Sequence, residues 1–275
     1  MRKWFLLVVL SVVLLAVGAC GKGDQASSAS NEDDSKGVTL KISASSTPHA
    51  EILELIAPEL EKEGIKLDVV LTSDGIQANK QVAENELDAN YFQHLPYLEQ
   101  VNRDSGIDLV SVIGTHIEPF GIYSEKIKSI EELSVGAKVS IPKDPVNFSR
   151  ALLLLASAGV IELDEGKSGD YVLQDITENA KEIEFIPVDA ELLIRSLADV
   201  EISTINANFA LEANYNPLED ALSLEGSSSP YVNILVSRQD NKESEAIQKL
   251  ATALTSEKVK EFILEKYAGA VVPTF

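Results

Sequence analysis

The sequence is poor in sulfur, in tryptophan and in positive charge. Its 275 residues include one Cys, one Met and one Trp, and 23 Lys and Arg stand against 44 Asp and Glu, a formal net charge of −21. A single Cys excludes a disulfide scaffold and any zinc or iron–sulfur site built from several thiolates. The negative charge argues against nucleic acid as a partner, because a polyanion would be repelled. An apolar fraction of 45% is ordinary for a globular protein of one large or two medium domains.

Motifs of covalent and metal chemistry are also missing. His49, His94 and His116 do not pair at metal-ligand spacing, and no Walker A, GxGxxG, HExxH or GxSxG motif occurs. The segment Ser140–Lys143 matches an SxxK pattern, but its Ser falls within a predicted strand and no KTG triplet follows, so we interpret the match as chance. We therefore expect no enzymatic activity, no catalytic residue, no metal site and no cofactor.

The first twenty residues predict export and attachment of lipid. Two basic residues follow Met1, residues 4–17 form an apolar run that only Ser11 interrupts, and small residues lead to Cys20. The run is short for a membrane span but suits a secretory signal. The pattern resembles the lipobox of bacterial lipoproteins, which predicts a signal peptide over residues 1–19, a lipidated Cys20 and a location on the extracytoplasmic face of the membrane. An ordinary signal peptide with an incidental Cys, or an uncleaved anchor, is the alternative.

The rest of the chain predicts a tether followed by an α/β fold. Residues 20–37 contain almost no apolar side chain larger than Ala and predict a flexible tether. From Val38 onward, alternating strand patterns and helical spacings follow one another, which predicts a mostly parallel sheet and two lobes with a cleft between them. Ligands bind beyond the carboxyl ends of the strands in such sheets, so we expect the site in the loops that follow strands.

One segment rich in aromatic side chains falls in that region. It places Tyr91, Phe92, His94 and Tyr97 within seven residues. The rings could line a ligand pocket, or they could simply fill a hydrophobic core.

Basic and amide side chains form the other candidates. Asn147 is a predicted helix N-cap, which places Arg150 in the first helical turn, where a cation is unfavourable unless an anion lies nearby. We interpret the pair as a carboxylate site, and a surface ion pair is the alternative. Asn206 follows one predicted strand and Asn233 interrupts another, where a buried amide needs either a ligand or a structural partner.

Six segments along the chain add a more specific signal. They read TPHAEIL from Thr47, DANYFQHLPYL from Asp88, IEPFGIYS from Ile117, IPKDPVNFSRALLLL from Ile141, ADVEISTINANFA from Ala198 and SPYVNILVSRQDN from Ser229. In this order they resemble the NlpA/MetQ family, the methionine-binding lipoproteins of ABC importers. The resemblance implies a type II-like periplasmic-binding fold with one lobe at residues 38–118 plus 232–275 and the other at residues 119–231. It also implies a monomer that closes over L-methionine or a close analogue and delivers it to an ABC permease and its ATPase.

The resemblance also assigns roles to the candidate residues. The ligand side chain would contact Tyr91, Phe92, His94 and also Tyr97. Arg150, supported by Asn147, would bind the α-carboxylate. Asn206 and Asn233 would bind the amino and carboxylate groups. The sequence departs from the family at Lys143, at Ser149 and at Gly75, where members carry a tyrosine that covers the thioether. One buried ring is worth roughly 1–3 kcal/mol, enough to change the preferred ligand. A Met-containing dipeptide or another apolar amino acid is therefore the nearer alternative, and a surface adhesin or structural lipoprotein is the alternative from another class.

Overall fold

The computed structural model of the chain describes residues 37–226 and 229–275. The predicted signal peptide, Cys20 and nearly all of the predicted tether lie outside the described residues. The strands are β1 (Val38–Ala44), β2 (Ile65–Leu71), β3 (Ala89–His94), β4 (Val110–Ile117), β5 (Gly121–Tyr123), β6 (Lys138–Pro142), β7 (Glu162–Leu163), β8 (Ile176–Glu178), β9 (Glu184–Val188), β10 (Ile202–Ile205), β11 (Ser223–Leu224), β12 (Val232–Ser237) and β13 (Val272–Pro273).

Helices connect most of these strands. They are α1 (Glu51–Lys62), α2 (Gly75–Ala83), α3 (Leu95–Ser105), α4 (Pro145–Ser157), α5 (Leu193–Ser196), α6 (Ala207–Glu212), α7 (Pro217–Asp220), α8 (Glu245–Leu254) and α9 (Glu257–Tyr267). Gly64 lies just beyond α1 with a φ of 80°, a left-handed conformation that glycine adopts without steric cost and that ends the helix. Among the described helices, none combines the length and the apolar content that crossing a membrane requires.

The strands form two main sheets of mixed direction. The first sheet has the order β13-β4-β12-β3-β1-β2 and the second has the order β11-β5-β10-β6-β9. Most strands of each sheet run in one direction, as the prediction of a mostly parallel sheet requires, but β12 lies antiparallel between β3 and β4, and β5 lies antiparallel between β10 and β11. The chain returns from the second sheet and begins β12 at Val232, so that Asn233 lies opposite His94 at the end of β3. A strand that begins where its neighbour ends must run in the opposite direction.

Each sheet has a hydrophobic core of its own. Ile42 of β1, Ile52 of α1 and Leu250 of α8 are fully buried beside the first sheet. Ile141 of β6 and Leu155 of α4 are fully buried beside the second sheet. Two sheets with separate cores are what the predicted two-lobed α/β architecture requires, because each core can stay packed if the sheets move relative to one another.

Candidate ligand-binding site

A cavity of about 700 Å³ opens among segments that follow strands of both sheets. We call it the outer cavity. On the side of the first sheet its lining comes from β3 and from residues that follow β2 and β3; on the side of the second sheet it comes from residues that follow β6, β9 and β10. The volume lies within the range of small-molecule sites, and the position agrees with the expectation that the site lies beyond the carboxyl ends of the strands.

A second, much smaller cavity adjoins the outer one. We call it the inner cavity; its volume is about 30 Å³. Phe92, His94, Asn206 and Asn208 line both cavities, so the two are neighbours. The remaining lining of the inner cavity is Glu118, Arg150, Ala207 and Asn233. A narrow polar end and a wider part with aromatic side chains therefore meet at Phe92 and His94.

The structure brings seven of the eight predicted ligand-binding residues to these cavities. Those that line the inner cavity are Phe92, His94, Arg150, Asn206 and Asn233, and those that line only the outer cavity are Tyr97 and Asn147. The exception is Tyr91, which does not occur in the described lining of either cavity.

Tyr91 has a structural role instead of the predicted contact with the ligand. Its side chain is fully buried, and its hydroxyl lies 3.1 Å from Thr115 Oγ1 and 2.9 Å from His116 Nδ1. Successive side chains of a strand point to opposite faces, so Tyr91 and Phe92 cannot both reach the cavity. The sequence patterns did not predict β3 as a strand, which explains why this alternation was missed.

The start of α4 also differs from the prediction. Asp144, not Asn147, is the N-cap, and its carboxylate accepts a hydrogen bond of 2.9 Å from the backbone N–H of Asn147. Pro145 occupies the first helical position, which suits its fixed φ and its missing N–H. Arg150 therefore lies in the second turn, beyond the strongest effect of the dipole at the helix N-terminus. The tertiary contacts of its side chain define its environment instead.

The guanidinium of Arg150 is buried and partly occupied. Its Nε donates to Glu225 Oε1 at 3.0 Å, and its Nη2 donates to Glu225 Oε2 at 2.5 Å and to the backbone carbonyl of Glu118 at 2.9 Å. The rings of Tyr231 and Phe120 lie 4.2 Å and 5.1 Å from the guanidinium carbon. Among the described residues, none accepts a hydrogen bond from Nη1, so this nitrogen remains able to bind a carboxylate.

A chain of hydrogen bonds links His94 to two of the predicted amides. The backbone N–H of Tyr97 donates to His94 Nδ1, which leaves the ring proton on Nε2, where it is donated to Asn147 Oδ1 at 3.1 Å. Asn206 Nδ2 donates to the same oxygen at 3.3 Å. Asn147 Nδ2 donates to Asp144, so the amide of Asn147 is fully used. Asn206 Oδ1, by contrast, is buried without a hydrogen-bond partner in the described chain.

A buried cluster of His49, His116 and Glu118 lies behind the inner cavity. Glu118 Oε1 lies 2.9 Å from His116 Nε2 and 3.3 Å from His49 Nε2. His49 Nε2 also lies 3.2 Å from Asn233 Oδ1, and its Nδ1 lies 2.6 Å from Ser45 Oγ. The spacing of the three side chains would also suit a divalent cation, but every imidazole nitrogen already has a protein partner. The simplest arrangement has both Nε2–H groups donating to the carboxylate.

Burial sets the protonation of these groups. It lowers the pKa of His49 to about 4 and the pKa of His116 to about 3, and burial together with the charge of Arg150 lowers the pKa of His94 to about 3. All three imidazoles are therefore neutral at pH 7. Burial raises the pKa of Glu118 above its usual value, although His49 and Arg150 oppose this change.

A close approach at Gly75 shapes the wider part of the site. A Cβ at this position would lie 2.7 Å from Phe92 Cε2 and 2.8 Å from the Tyr97 hydroxyl. The two rings thus occupy the space next to position 75, and a larger residue there would have to displace them.

We expect Gly75→Ala to push the rings of Phe92 and Tyr97 into the outer cavity. The crowding should cost roughly 1–3 kcal/mol, shared between folding and ligand binding. Urea denaturation would measure the first part, and titration calorimetry with L-methionine, the ligand that the family resemblance implies, would measure the second. Ser73→Ala, in the same loop, is the matched control and should change neither; equal behaviour of the two variants would contradict the prediction.

Sequence reasoning missed Glu118, Glu225 and His49 as residues of the site. A signal was present for two of them, since Glu118 is an acid within the apolar segment Ile117–Tyr123 and His49 lies in the quoted segment from Thr47. Glu225 gave no signal, because one carboxylate among 44 acidic residues is not distinctive.

A polar cavity among the strand ends of two α/β sheets, with a buried arginine at its inner end, is the arrangement of two-lobed periplasmic-binding proteins. The NlpA lipoprotein family model matches residues 40–275, and the chain belongs to this family. The methionine-binding lipoprotein MetQ of Bacillus subtilis (strain 168) is 38% identical over 278 residues, and the alignment covers 99% of this chain and 99% of that protein.

Solved structures agree with this family. A nutrient-binding protein of Burkholderia cenocepacia bound to methionine is 40% identical with a TM-score of 0.82, and the match covers 86% of this chain and 100% of that one. A periplasmic substrate-binding protein of an ABC transporter from Coxiella burnetii is 34% identical with a TM-score of 0.81 and the same coverage. The predicted family and the predicted two-lobed fold are confirmed.

Proposed function

We propose that the chain is an extracytoplasmic solute-binding lipoprotein that delivers L-methionine, or a close analogue, to an ABC importer. The observation that carries the proposal is the inner cavity, where Arg150, Asn206 and Asn233 converge beside the aromatic ring of Phe92. The methionine-binding name of the Bacillus subtilis relative and the methionine in the Burkholderia cenocepacia structure support the choice of ligand. Export, acylation of Cys20 and a monomeric state belong to the same proposal.

In this proposal the ligand lies with its polar end in the inner cavity. The free Nη1 of Arg150 binds the α-carboxylate, and Asn206 and Asn233 complete the polar contacts. The ligand side chain extends toward the outer cavity between Phe92 and Tyr97. Asn147 acts indirectly, because its amide is already used to hold His94 and Asn206.

Transport would depend on closure of two lobes rather than on covalent chemistry. The proposed lobes are residues 38–118 plus 232–275 and residues 119–231. The strands of the first sheet fall within the first of these and those of the second sheet within the other, which supports the division. The chain crosses between the sheets after β4 and before β12, and we propose these two crossings as the hinge. A ligand that contacts both sides stabilises the closed form.

A Met-containing dipeptide remains the second candidate ligand. The volume of the outer cavity, about 700 Å³, favours it, since a free amino acid need not fill that space. The polar groups that bind in the inner cavity define the class of ligand in this proposal, and the preferred ligand side chain has to be measured.

Titration calorimetry of the purified protein tests the proposal. The described residues contain no tryptophan, so calorimetry is preferable to intrinsic tryptophan fluorescence. We expect a saturable 1:1 heat with L-methionine, a weaker response to L-leucine and no response to L-glutamate. Equal affinity for L-leucine would refute methionine as the preferred ligand, and no heat with any amino acid or Met-containing dipeptide would refute the function.

A further inference from the structure

Three buried amide side chains lie behind the aromatic part of the site. Asn79 of α2 and Asn90 of β3 are fully buried, and Gln93 of β3 is only 3% exposed. We call these three side chains the amide cluster. Gln93 lines the outer cavity, whereas Asn79 and Asn90 do not occur in the described lining of either cavity. The cluster therefore reaches the wall of the site from the interior of the protein.

The three amides satisfy one another. Asn79 and Gln93 exchange two hydrogen bonds, from Asn79 Nδ2 to Gln93 Oε1 at 3.0 Å and from Gln93 Nε2 to Asn79 Oδ1 at 2.7 Å. Asn90 Nδ2 donates to Asn79 Oδ1 at 2.8 Å, and Gln93 Nε2 donates to Asn90 Oδ1 at 2.7 Å. All three amide oxygens thus accept a hydrogen bond. A buried network that is satisfied in this way is rigid, because each amide holds the other two.

The amide cluster depends on a β-bulge at Phe92. The residues on either side of Phe92 pair with two successive residues of β12, so Phe92 is an extra residue without a partner on that strand. In a regular strand Asn90 and Gln93 would point to opposite faces, because they are three positions apart. The bulge brings both side chains to Asn79. The hydrogen bonds of the cluster therefore need the bulge, and in turn they hold it in place.

The ring of Phe92 lies between this bulge and the start of α2. Phe92 lines both cavities, and a Cβ at Gly75 would lie 2.7 Å from its Cε2 atom. Asn79 lies one helical turn further along α2. The helix thus meets β3 at two neighbouring points, the ring of Phe92 and the amide cluster. The way in which the cluster holds α2 on β3 therefore determines where the ring lies in the cavities.

We propose that the amide cluster positions Phe92 and thereby selects the side chain of the ligand, with Asn79 as the central positioning residue. This inference rests on the proposed function, in which the ligand side chain extends between Phe92 and Tyr97. The centroids of these two rings lie 6.4 Å apart with an interplanar angle of 78°. Contacts with aromatic rings depend on such geometry, so a shift of the bulge changes what fits beside them. The polar end of the ligand binds to other elements, among them α4 with Arg150 and β12 with Asn233.

Calorimetric titration with two matched ligands tests the assignment in the purified protein. L-2-Aminobutyrate has the polar end of L-methionine but lacks its terminal S-methyl group, and its affinity is measured by displacement. We expect Asn79→Ala to weaken L-methionine binding about 3- to 10-fold, because the S-methyl group loses its contact with a ring that has moved. The affinity for L-2-aminobutyrate should change less than about twofold, because its side chain ends before the rings.

Hydrogen exchange gives a second measurement that needs no ligand. Asn79→Ala removes three hydrogen bonds of the cluster, so the backbone amides of residues 89–94 should exchange about tenfold faster. Asn90→Ala removes only the two hydrogen bonds of Asn90 and keeps the pair between Asn79 and Gln93. Both effects should be smaller in Asn90→Ala, and this variant carries the test if urea denaturation shows that Asn79→Ala is unfolded.

Asn102→Ala is the matched control for loss of an amide. Asn102 lies on α3 and forms two hydrogen bonds with the backbone of Leu109, at 2.8 Å and 3.3 Å. Its replacement should lower the free energy of unfolding but leave the ratio of the two affinities and the exchange of β3 unchanged.

Several results would overturn the assignment. Equal losses for the two ligands in Asn79→Ala would mean that the cluster supports the site as a whole and selects no side chain. Unchanged L-methionine binding in folded Asn79→Ala and Asn90→Ala would refute this inference while leaving the proposed function intact. The same change of ligand preference in Asn102→Ala would attribute the effect to lost stability. Absence of binding to the unmodified protein would refute the proposed function itself, and this assignment with it.

Discussion

Replacing Arg150 with alanine should abolish L-methionine binding and also destabilise the fold. The guanidinium is buried, and its removal takes away the donors to Glu225 and the proposed donor to the ligand. Loss of one partner from a buried ion pair costs roughly 3–5 kcal/mol, because the other charge is left without compensation. The affinity for L-methionine should fall about 100-fold or more, since a carboxylate would lose its charged partner.

Variants of Glu225 separate these two effects. Glu225→Gln should also lower the free energy of unfolding, but it releases Nε and Nη2 of Arg150 for the ligand. Its L-methionine affinity should therefore stay the same or increase. The double variant Arg150→Ala/Glu225→Gln should recover part of the free energy of unfolding that Arg150→Ala loses, because no buried charge is left without a partner. L-Methionine binding should stay abolished in the double variant. Urea denaturation and calorimetry would measure both quantities.

Arg195→Ala is the matched control for removal of an arginine. Arg195 is exposed on α5, so its replacement should change the free energy of unfolding by less than about 0.5 kcal/mol. If Arg150→Ala bound L-methionine with an affinity within tenfold of that of the unmodified protein, the proposed carboxylate contact would be contradicted.

Acidification should destabilise the protein at pH values well above those at which carboxylates usually titrate. In the folded protein the pKa of His49 is lowered to about 4, and those of His94 and His116 to about 3. An unfolded histidine has a pKa of about 6.5, so between these values the unfolded chain binds more protons. The stabilising contribution is therefore complete above pH 6.5 and is lost as the pH falls toward 4. Each histidine accounts for up to about 1.4 kcal/mol per pH unit.

The expected loss between pH 7 and pH 5 is about 5–6 kcal/mol for the three histidines together. Burial raises the pKa values of Glu118 and Asp144, and these two groups oppose the loss because their folded forms bind a proton more readily. Urea denaturation at pH 7.5, 6 and 5 would measure the slope. His116→Gln removes one titrating group and should reduce the slope by about one proton. A flat profile between pH 7 and pH 5 would contradict the neutral, buried state of the histidines.

Local patterns in the sequence predicted much of the fold. The alternating apolar residues that begin at Val38 form β1, and the helical spacing that follows them forms α1. The residue types did not fix the start of α4, because Asp144 and Asn147 are both good N-caps. In the structure Pro145 occupies the first helical position, which makes Asp144 the N-cap.

The predicted residues that reach the cavities are mostly those whose side-chain chemistry was unusual for its setting. An arginine after a strand and an amide inside an apolar strand were unusual, and Arg150, Asn206 and Asn233 do line the inner cavity. Tyr91 was placed wrongly because the polar strand β3 does not have an alternating apolar pattern. Glu225 was missed because nothing near it in the chain distinguishes it from other acidic residues.

By itself, the sequence determined the order of the elements, the family and most of the residue types at the site, because these depend on short-range patterns. Only the tertiary structure decided the direction of β12, the pairing of Arg150 with Glu225 and the convergence of His49 and His116 on Glu118. Arg150 and Glu225 are 75 positions apart, and His49 and Asn233 are 184 apart. Hydrogen bonds over such separations form only when the sheets bring distant segments together, and no local pattern of residues specifies their partners.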